Sequence, residues 1–367
     1  MIFKQILMWV ILGFFLLGLA DRALGFKFGI GKEFLKGTDL MGLFALQCVG
    51  MICFAPVLAK LLIPVVSPIY SALGADPAMF APNFIAVDAG GYAISTQMAR
   101  DPMIGRWAGV CVGSLLGATL SFNIPVLFGL VGKENYRSFS IGALSAMISA
   151  PNGCIVGGLC CGIEISAILT NLIPVIIVAV IIAVGLLFVP DVVIRVFIIF
   201  AKFLMVVISI GLALALLKSM TGVELVEGVL PLGDGLLVAG SICFTCTGAI
   251  CMVYALIKLA GKPIGKLGEL IGLNDVALIN TFIGFSTVAP GGACYNDMNP
   301  RGKVVFSTVA CTAANILGAH MGFVAAQDPE MLPVLFVSKL SSAVVALPLA
   351  FFFAKRLLQH STAALDT

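Results

Sequence analysis

The chain has 367 residues, 60% of them hydrophobic and only 11% charged, with a formal net charge of +3 and a mean hydropathy of +1.14. A soluble domain carries about 25% charged residues, so this composition excludes one, and so small a charge gives no case for a nucleic-acid partner. The apolar residues fall in blocks of about 20, long enough to cross a hydrocarbon core of ~30 Å as helix, with no alternating barrel pattern. The fold class is therefore an all-α polytopic membrane protein embedded in a lipid bilayer.

In chain order, residues 1–41 read as a first helix and a cytoplasmic loop. The apolar stretch 5–24 lacks a small-x-small cleavage site and is followed by further spans, so it reads as a retained helix rather than a signal peptide. A first unit, 42–164, holds a span at 42–62, a Gly/Pro-interrupted segment at 79–99, and spans at 104–129 and 138–163. Two connecting helices, 167–189 and 191–217, fill 165–234. A second unit, 235–357, holds a span at 235–257, an interrupted segment at 276–298, and spans at 304–326 and 332–354. A tail, 358–367, follows. The whole of 1–367 reads as a single transmembrane domain.

The two units repeat one another at an offset of 198. Cys48 pairs with Cys246, Gly50 with Gly248, Ile52 with Ile250, Cys53 with Cys251, Leu58 with Leu256, Lys60 with Lys258 and Leu61 with Leu259. The register continues at Gly74/Gly272 and Asp76/Asn274 and, after a one-residue slip, at Gly105/Gly302, Arg106/Lys303, Asn123/His320 and Pro151/Pro348. If the interrupted segments re-enter rather than cross, there are about nine full spans plus two re-entrant segments, and the repeats are inverted. If they cross, there are eleven spans and the repeats are parallel. Basic residues favour the first: with the N-terminus outside, one face gathers fourteen Lys and Arg and the other five, as the positive-inside rule expects for a cytoplasmic C-terminus. Inverted repeats with paired broken segments are the pattern of secondary transporters, whose substrate sits where the units meet near the bilayer midplane.

Asp88 is the sharpest candidate, a lone carboxylate in an apolar stretch beside Gly90 and Gly91. A charge at that depth faces a cavity, a partner or a substrate. A counter-charge for a cation is one reading; an internal ion pair to Lys339 or Lys202, or a cap on a broken helix, is the other. Its repeat partner lies near the neutral Ser286, so the site is expected to carry one negative charge, suited to a monocation. Asn83, Asn123, Asn152, Ser286, Thr287, Asn315 and His320 are the candidate donors and acceptors for a substrate hydroxyl. Gly90, Gly91, Pro151, Gly153, Pro290 and Gly291 are the candidate hinge positions, with Pro151-Asn152-Gly153 expected to break its span. The eleven cysteines, Cys243-x-x-Cys246 included, read as soft packing residues, and two histidines are too few for a His-built metal centre. No metal, cofactor or catalytic residue is expected; an enzyme would need a nucleophile–base pair that no spacing supplies.

At these residues the chain resembles the EutH ethanolamine permease family. The similarity is carried by Val87-Asp88-Ala89-Gly90-Gly91-Tyr92, Pro151-Asn152-Gly153-Cys154-Ile155-Val156-Gly157-Gly158-Leu159, Asn171-Leu172-Ile173-Pro174-Val175-Ile176-Ile177-Val178-Ala179, Ile199-Phe200-Ala201-Lys202-Phe203-Leu204, Arg301-Gly302-Lys303-Val304 and Leu317-Gly318-Ala319-His320-Met321-Gly322-Phe323. It runs nearly end to end. It implies uptake of ethanolamine through a bacterial cytoplasmic (inner) membrane for ethanolamine catabolism, either as a monomer or as a homo-oligomer. The chain departs from the enterobacterial pattern at Ala319, where an acidic residue precedes the histidine, around 287–296, and in shorter loops before 40 and near 218–234. Ethanolamine suits the residues: Asp88 would pair with the ammonium, and Asn123, Asn152, Ser286, Thr287 or His320 with the alcohol. A nucleoside or amino-acid carrier is the alternative within transport, although a nucleoside site would want stacking aromatics and only Tyr92 and Tyr295 stand nearby. An intramembrane sensor or enzyme is the alternative outside it.

Overall fold

The structure is a computed structural model that describes residues 2–363. The side chains of Lys262, Lys266 and Arg356, and all of 364–367 in the tail, lie outside the described residues. Among those described, eight helices are long and apolar enough to cross a membrane: Lys4–Ala23, Ile30–Ala72, Pro102–Val131, Lys133–Cys160, Ile165–Leu186, Arg195–Thr221, Leu232–Leu259 and Pro329–Phe353. The chain is an all-α, multi-pass membrane protein. Its outermost helices turn Trp9, Ile181, Phe203 and Leu237 outward, as lipid-facing surfaces require, and Lys202 sits exposed on the same kind of surface.

The interrupted segments are broken helices. The first consists of Phe80–Phe84 and Gly91–Met98, separated by Ile85 in an extended conformation and Gly90 at φ +112°. A side chain at Gly90 would be strained at that φ and would place its Cβ 1.9 Å from Met51 Cγ. The second consists of Asp275–Gly284 and Ala289–Ala293.

Each broken segment doubles back on itself. Asp76 Oδ2 accepts from the N–H of Arg100 at 3.0 Å and of Asp101 at 3.1 Å. Asn299 N–H donates to Asn274 Oδ1 at 3.2 Å, and Asn274 Nδ2 donates to the Asp297 carbonyl at 2.7 Å. A straight helix of this length would hold those ends ~35 Å apart. Asp76 and Asn274 also cap the half-helices that follow them, as Asp101 and Asn299 cap the helices beginning at Pro102 and Pro300. One short polar side chain at each base thus satisfies the orphan N–H groups of two elements.

The two hairpin bases lie at opposite ends of the Pro102–Val131 helix. The first base adjoins its start, where Arg106 pairs with Asp328. The second adjoins its finish: Lys303 Nζ donates to Asn135 Oδ1 at 2.7 Å, and Asn135 also bonds to Asn296. Thirty helical residues lie between these ends, a distance of ~45 Å.

Two expectations are corrected. The span expected at 304–326 is not continuous: Pro300–Thr312 and Ala319–Gln327 are separated by an irregular stretch in which Asn315 adopts φ +58°. Asparagine tolerates that left-handed geometry, and the unwound backbone is held by the second hairpin, Leu317 N–H donating to the Phe285 carbonyl at 2.8 Å. Conversely, Pro151-Asn152-Gly153 breaks nothing. Tyr136–Cys160 runs through it as one helix, because Gly153 and Gly157 let the antiparallel partner helix approach closely at Ser338, and Ser149 and Ser342 share a hydrogen bond of 3.0 Å. Small residues there serve close packing.

Candidate functional site

Asp88 sits at the break of the first hairpin and is walled by four other elements. Met51 from the Gly50–Ala72 helix closes on Gly90, while Cys48 and Cys246, both buried, stand beside the carboxylate. His320 approaches from the Ala319–Gln327 helix, its Nε2 3.9 Å from Asp88 Oδ1. Lys339 comes from the last long helix and donates to the Ser114 carbonyl at 2.7 Å, with His320 Nδ1 at 3.3 Å. Ser114, Cys246 and Lys339 lie near the middles of Pro102–Val131, Leu232–Leu259 and Pro329–Phe353. The cluster is therefore at mid-depth.

His320 is 2% exposed, yet the Asp88 side chain retains 18%. At 3.9 Å the imidazole is too far for a hydrogen bond to the carboxylate. Asp88 thus stands in ion-pairing range of His320 with an open side.

Lys339 changes the electrostatics expected from sequence. Alone, Asp88 would give the site one negative charge, but an amine 1% exposed in the same cluster balances it when protonated. A lone lysine in the apolar stretch 332–354 was the signal available for it, of the same kind as the one that singled out Asp88. Lys202, the other lysine weighed as a partner, is remote on the outer surface.

The remaining candidates divide. Ser286 and Asn315 meet where the second hairpin touches the irregular stretch before His320: Asn315 N–H faces the Gly284 carbonyl at 3.4 Å, and a Cβ on Gly318 would lie 2.1 Å from the Ser286 carbonyl and 3.2 Å from Asn315 Oδ1. Asn123 is 2% exposed on the turn 119–123, where Thr119 bonds to the Cys311 carbonyl and Ser121 Oγ accepts from Ala86 N–H at 3.0 Å. The Oδ1 atoms of Asn83 and Asn123 and the Oγ of Ser286 are buried without a hydrogen-bond partner. Buried polar atoms are seldom left so, and each is a candidate for ligand or water. Asn83 is half satisfied, donating to Tyr70 OH at 3.3 Å.

Asn152 is not brought to Asp88; its Nδ2 donates to the Ser341 carbonyl at 3.2 Å and stitches two helices together. Thr287 is half-buried beside Ser286, and Pro290 is exposed. A Cβ on Gly91 would strike the Ile85 carbonyl at 2.3 Å, and one on Gly291 the Phe306 ring at 2.1 Å, so both glycines serve tight packing. The two tyrosines near the hairpins are engaged elsewhere: Tyr92 OH donates to Asp328 Oδ2 at 2.9 Å, and Tyr295 OH bonds Ser307 at 2.8 Å. A cavity of about 490 Å³ opens at the base of the first hairpin, lined by Asp76, Arg100, Asp101, Glu164 and Asn171. It lies at the end of the helices, away from the mid-depth cluster. Cys243 and Cys246 are free thiols, and no group of three or more metal-ligating side chains occurs among the described residues.

A helical bundle carrying two broken hairpins and a buried acid–imidazole–amine cluster at mid-depth has the build of a membrane transport protein. The chain belongs to the family described as ethanolamine utilisation protein, EutH, which it matches over residues 3–353. Over 364 residues it is 38% identical to a probable ethanolamine permease EutH of Listeria monocytogenes, covering 99% of this chain and 98% of that one. It is 37% identical to the uncharacterized protein YxeR of Bacillus subtilis, covering 92% and 91% of the two chains. It is 36% identical to a probable ethanolamine permease EutH of Salmonella typhimurium, covering 95% and 94%. No solved structure shows significant similarity to the chain.

Proposed function

We propose that the protein carries ethanolamine across the bacterial cytoplasmic membrane for ethanolamine catabolism, as a permease rather than an enzyme. The observation that carries this reading is the open side of Asp88: a carboxylate among buried neighbours that keeps 18% of its side-chain surface and lies 3.9 Å from the His320 imidazole. A primary ammonium placed there would gain a charge-assisted bond in surroundings where water competes weakly. The unpartnered Asn123 Oδ1 and Ser286 Oγ are acceptors that the substrate's hydroxyl proton could satisfy. The names of the relatives support the same substrate.

The two units would act as inverted repeats, each with its hairpin as the gate on one face, and the N-terminus would lie outside with the C-terminus in the cytoplasm. Hairpin bases at opposite ends of the Pro102–Val131 helix favour this arrangement. Purified protein in liposomes should take up labelled ethanolamine, and excess unlabelled ethanolamine should compete while a nucleoside should not. Protein-free rates of uptake would refute the reading; equal competition by a nucleoside would move it to another substrate.

A further inference from the structure

His320 stands between an amine and a carboxylate, and its two nitrogens face different partners. When charged, Lys339 Nζ, 3.3 Å from Nδ1, has only protons to offer; Nδ1 is then the acceptor and the imidazole proton sits on Nε2. That Nε2–H faces Asp88 Oδ1 across 3.9 Å. The order Lys339 ammonium, neutral His320, Asp88 carboxylate is a proton path with one gap, which an approach of about 1 Å would bring into hydrogen-bond range.

The surroundings isolate this path. The groups facing Lys339 are Asp88 from the first hairpin, His320 from the Ala319–Gln327 helix, Cys311 from Pro300–Thr312 and Cys111 from Pro102–Val131. Asp88 adds only Cys48 and Cys246. The Tyr136–Cys160 helix, which packs along the same face, brings the uncharged Ser149 and Asn152. With Asp88 ionised and Lys339 protonated, the site balances without substrate. A second cation at Asp88 would leave a net positive charge buried at mid-depth, which desolvation strongly disfavours.

We propose that Lys339 is the resident cation of this site and that it yields a proton whenever a substrate ammonium takes Asp88, which makes the transporter an electroneutral ammonium–proton exchanger. This deepens the transport reading above and rests on it. In the exchange, a Lys339 Nζ–H proton passes to His320 Nδ1 as the Nε2 proton passes to Asp88. Asp88 then releases that proton to water on its exposed side, leaving a neutral amine at Lys339, a neutral imidazole and a carboxylate that binds the ammonium. On the other face the ammonium leaves, and Lys339 regains a proton by the reverse path. His320 conducts and holds; Asp88 binds.

The exchange has a signature that a uniporter lacks. In liposomes at pH 6, where little free base exists, an acid lumen one pH unit below the bath should drive about tenfold accumulation of labelled ethanolamine, while an inside-negative potential of 100 mV should not drive it. A lumenal pH dye should report about one proton leaving per ethanolamine entering, as charge balance requires. Liposomes carrying the Asp88→Asn protein give the background of passive base diffusion. Lys339→Met should lose the proton signal and make any remaining uptake voltage-driven, and His320→Gln should slow the proton signal should Lys339→Met fail to fold. Uptake by the wild type that follows voltage toward ~50-fold accumulation, with no proton leaving, would overturn the exchange and leave the transport reading standing. Absence of protein-dependent uptake under every gradient would overturn the transport reading itself. Proton release that survives Lys339→Met would remove Lys339 from the mechanism.

Discussion

At the break of the first hairpin, the freed Ala86 N–H is satisfied by the Ser121 hydroxyl of a helix that continues past it, loosened by π-helical turns over Ala108–Gly117 and Thr119–Asn123. At the break of the second, the carbonyls of Gly284 and Phe285 are met by backbone N–H groups of Asn315 and Leu317, from a helix that has itself come apart. The same need, irregular backbone deep in a bilayer, is answered once by a side chain and once by a second unwinding. The difference extends to charge. The first hairpin carries Asp88 and is tied down by Tyr92 to Asp328, which also takes two bonds of 2.7 Å from Arg106. The corresponding positions of the second are Ser286 and Lys303, and Lys303 bonds a neutral amide. The first hairpin is built to hold charge; the second is built around neutral acceptors and a looser backbone.

That contrast can be tested by breaking corresponding positions. The largest effect is expected from Asp88→Asn, which should lower labelled-ethanolamine uptake at least ~100-fold in proteoliposomes, since one partner of a buried charge pair is lost. The protein should remain monodisperse by size exclusion. Ser286→Ala, at the paired position, should cost only one neutral hydrogen bond and raise the half-saturating ethanolamine concentration by about tenfold or less. Equal losses for the two would erase the distinction between a charged and a neutral hairpin.

Arg106→Ala should come next. It leaves the Asp328 carboxylate 9% exposed and without its bidentate partner, and thermal unfolding in detergent should show a loss of about 3 kcal/mol. Lys303→Ala, which removes a bond to an amide, should cost about 1 kcal/mol in the same assay. Ser121→Ala should destabilise by about 1–3 kcal/mol, because the Ala86 N–H is stranded without water. No single side chain at the break of the second hairpin should have that effect, since that break is held by backbone. The smallest effect is expected from Asn152→Ala: transport should stay within about twofold of wild type, because the side chain stitches two helices by one bond and does not reach Asp88.

Much of the site was legible because a charge in an apolar run is costly wherever it sits, so Asp88 stood out without any structure. The paired positions 198 apart pointed to two broken segments, and the base caps Asp76 and Asn274 fall in that register. Lys339 was visible by the same logic, but its distance from Asp88 was not, since more than 200 residues separate them. Asn152 misled for a related reason: a Pro-Asn-Gly run breaks an isolated helix by local propensity, while packing against a small-residue partner held this one intact. Asn315 misled in the opposite sense. Its span reads as continuously apolar, and only the carbonyls of the facing hairpin make unwinding there favourable.

The sequence by itself determined that this chain lies in a bilayer, that it carries two interrupted segments, and that Asp88 is its most expensive residue. Transfer free energy and helix propensity are summed along the chain, so composition and spacing suffice to read them. Basic-residue placement already favoured re-entry of both segments; tertiary structure alone decided which side chains close each base, that a third helix is broken, and that His320 and Lys339 converge on Asp88. Those outcomes depend on hydrogen bonds and charges brought together through space, and no local pattern encodes which distant partner will satisfy a freed backbone group or balance a buried charge.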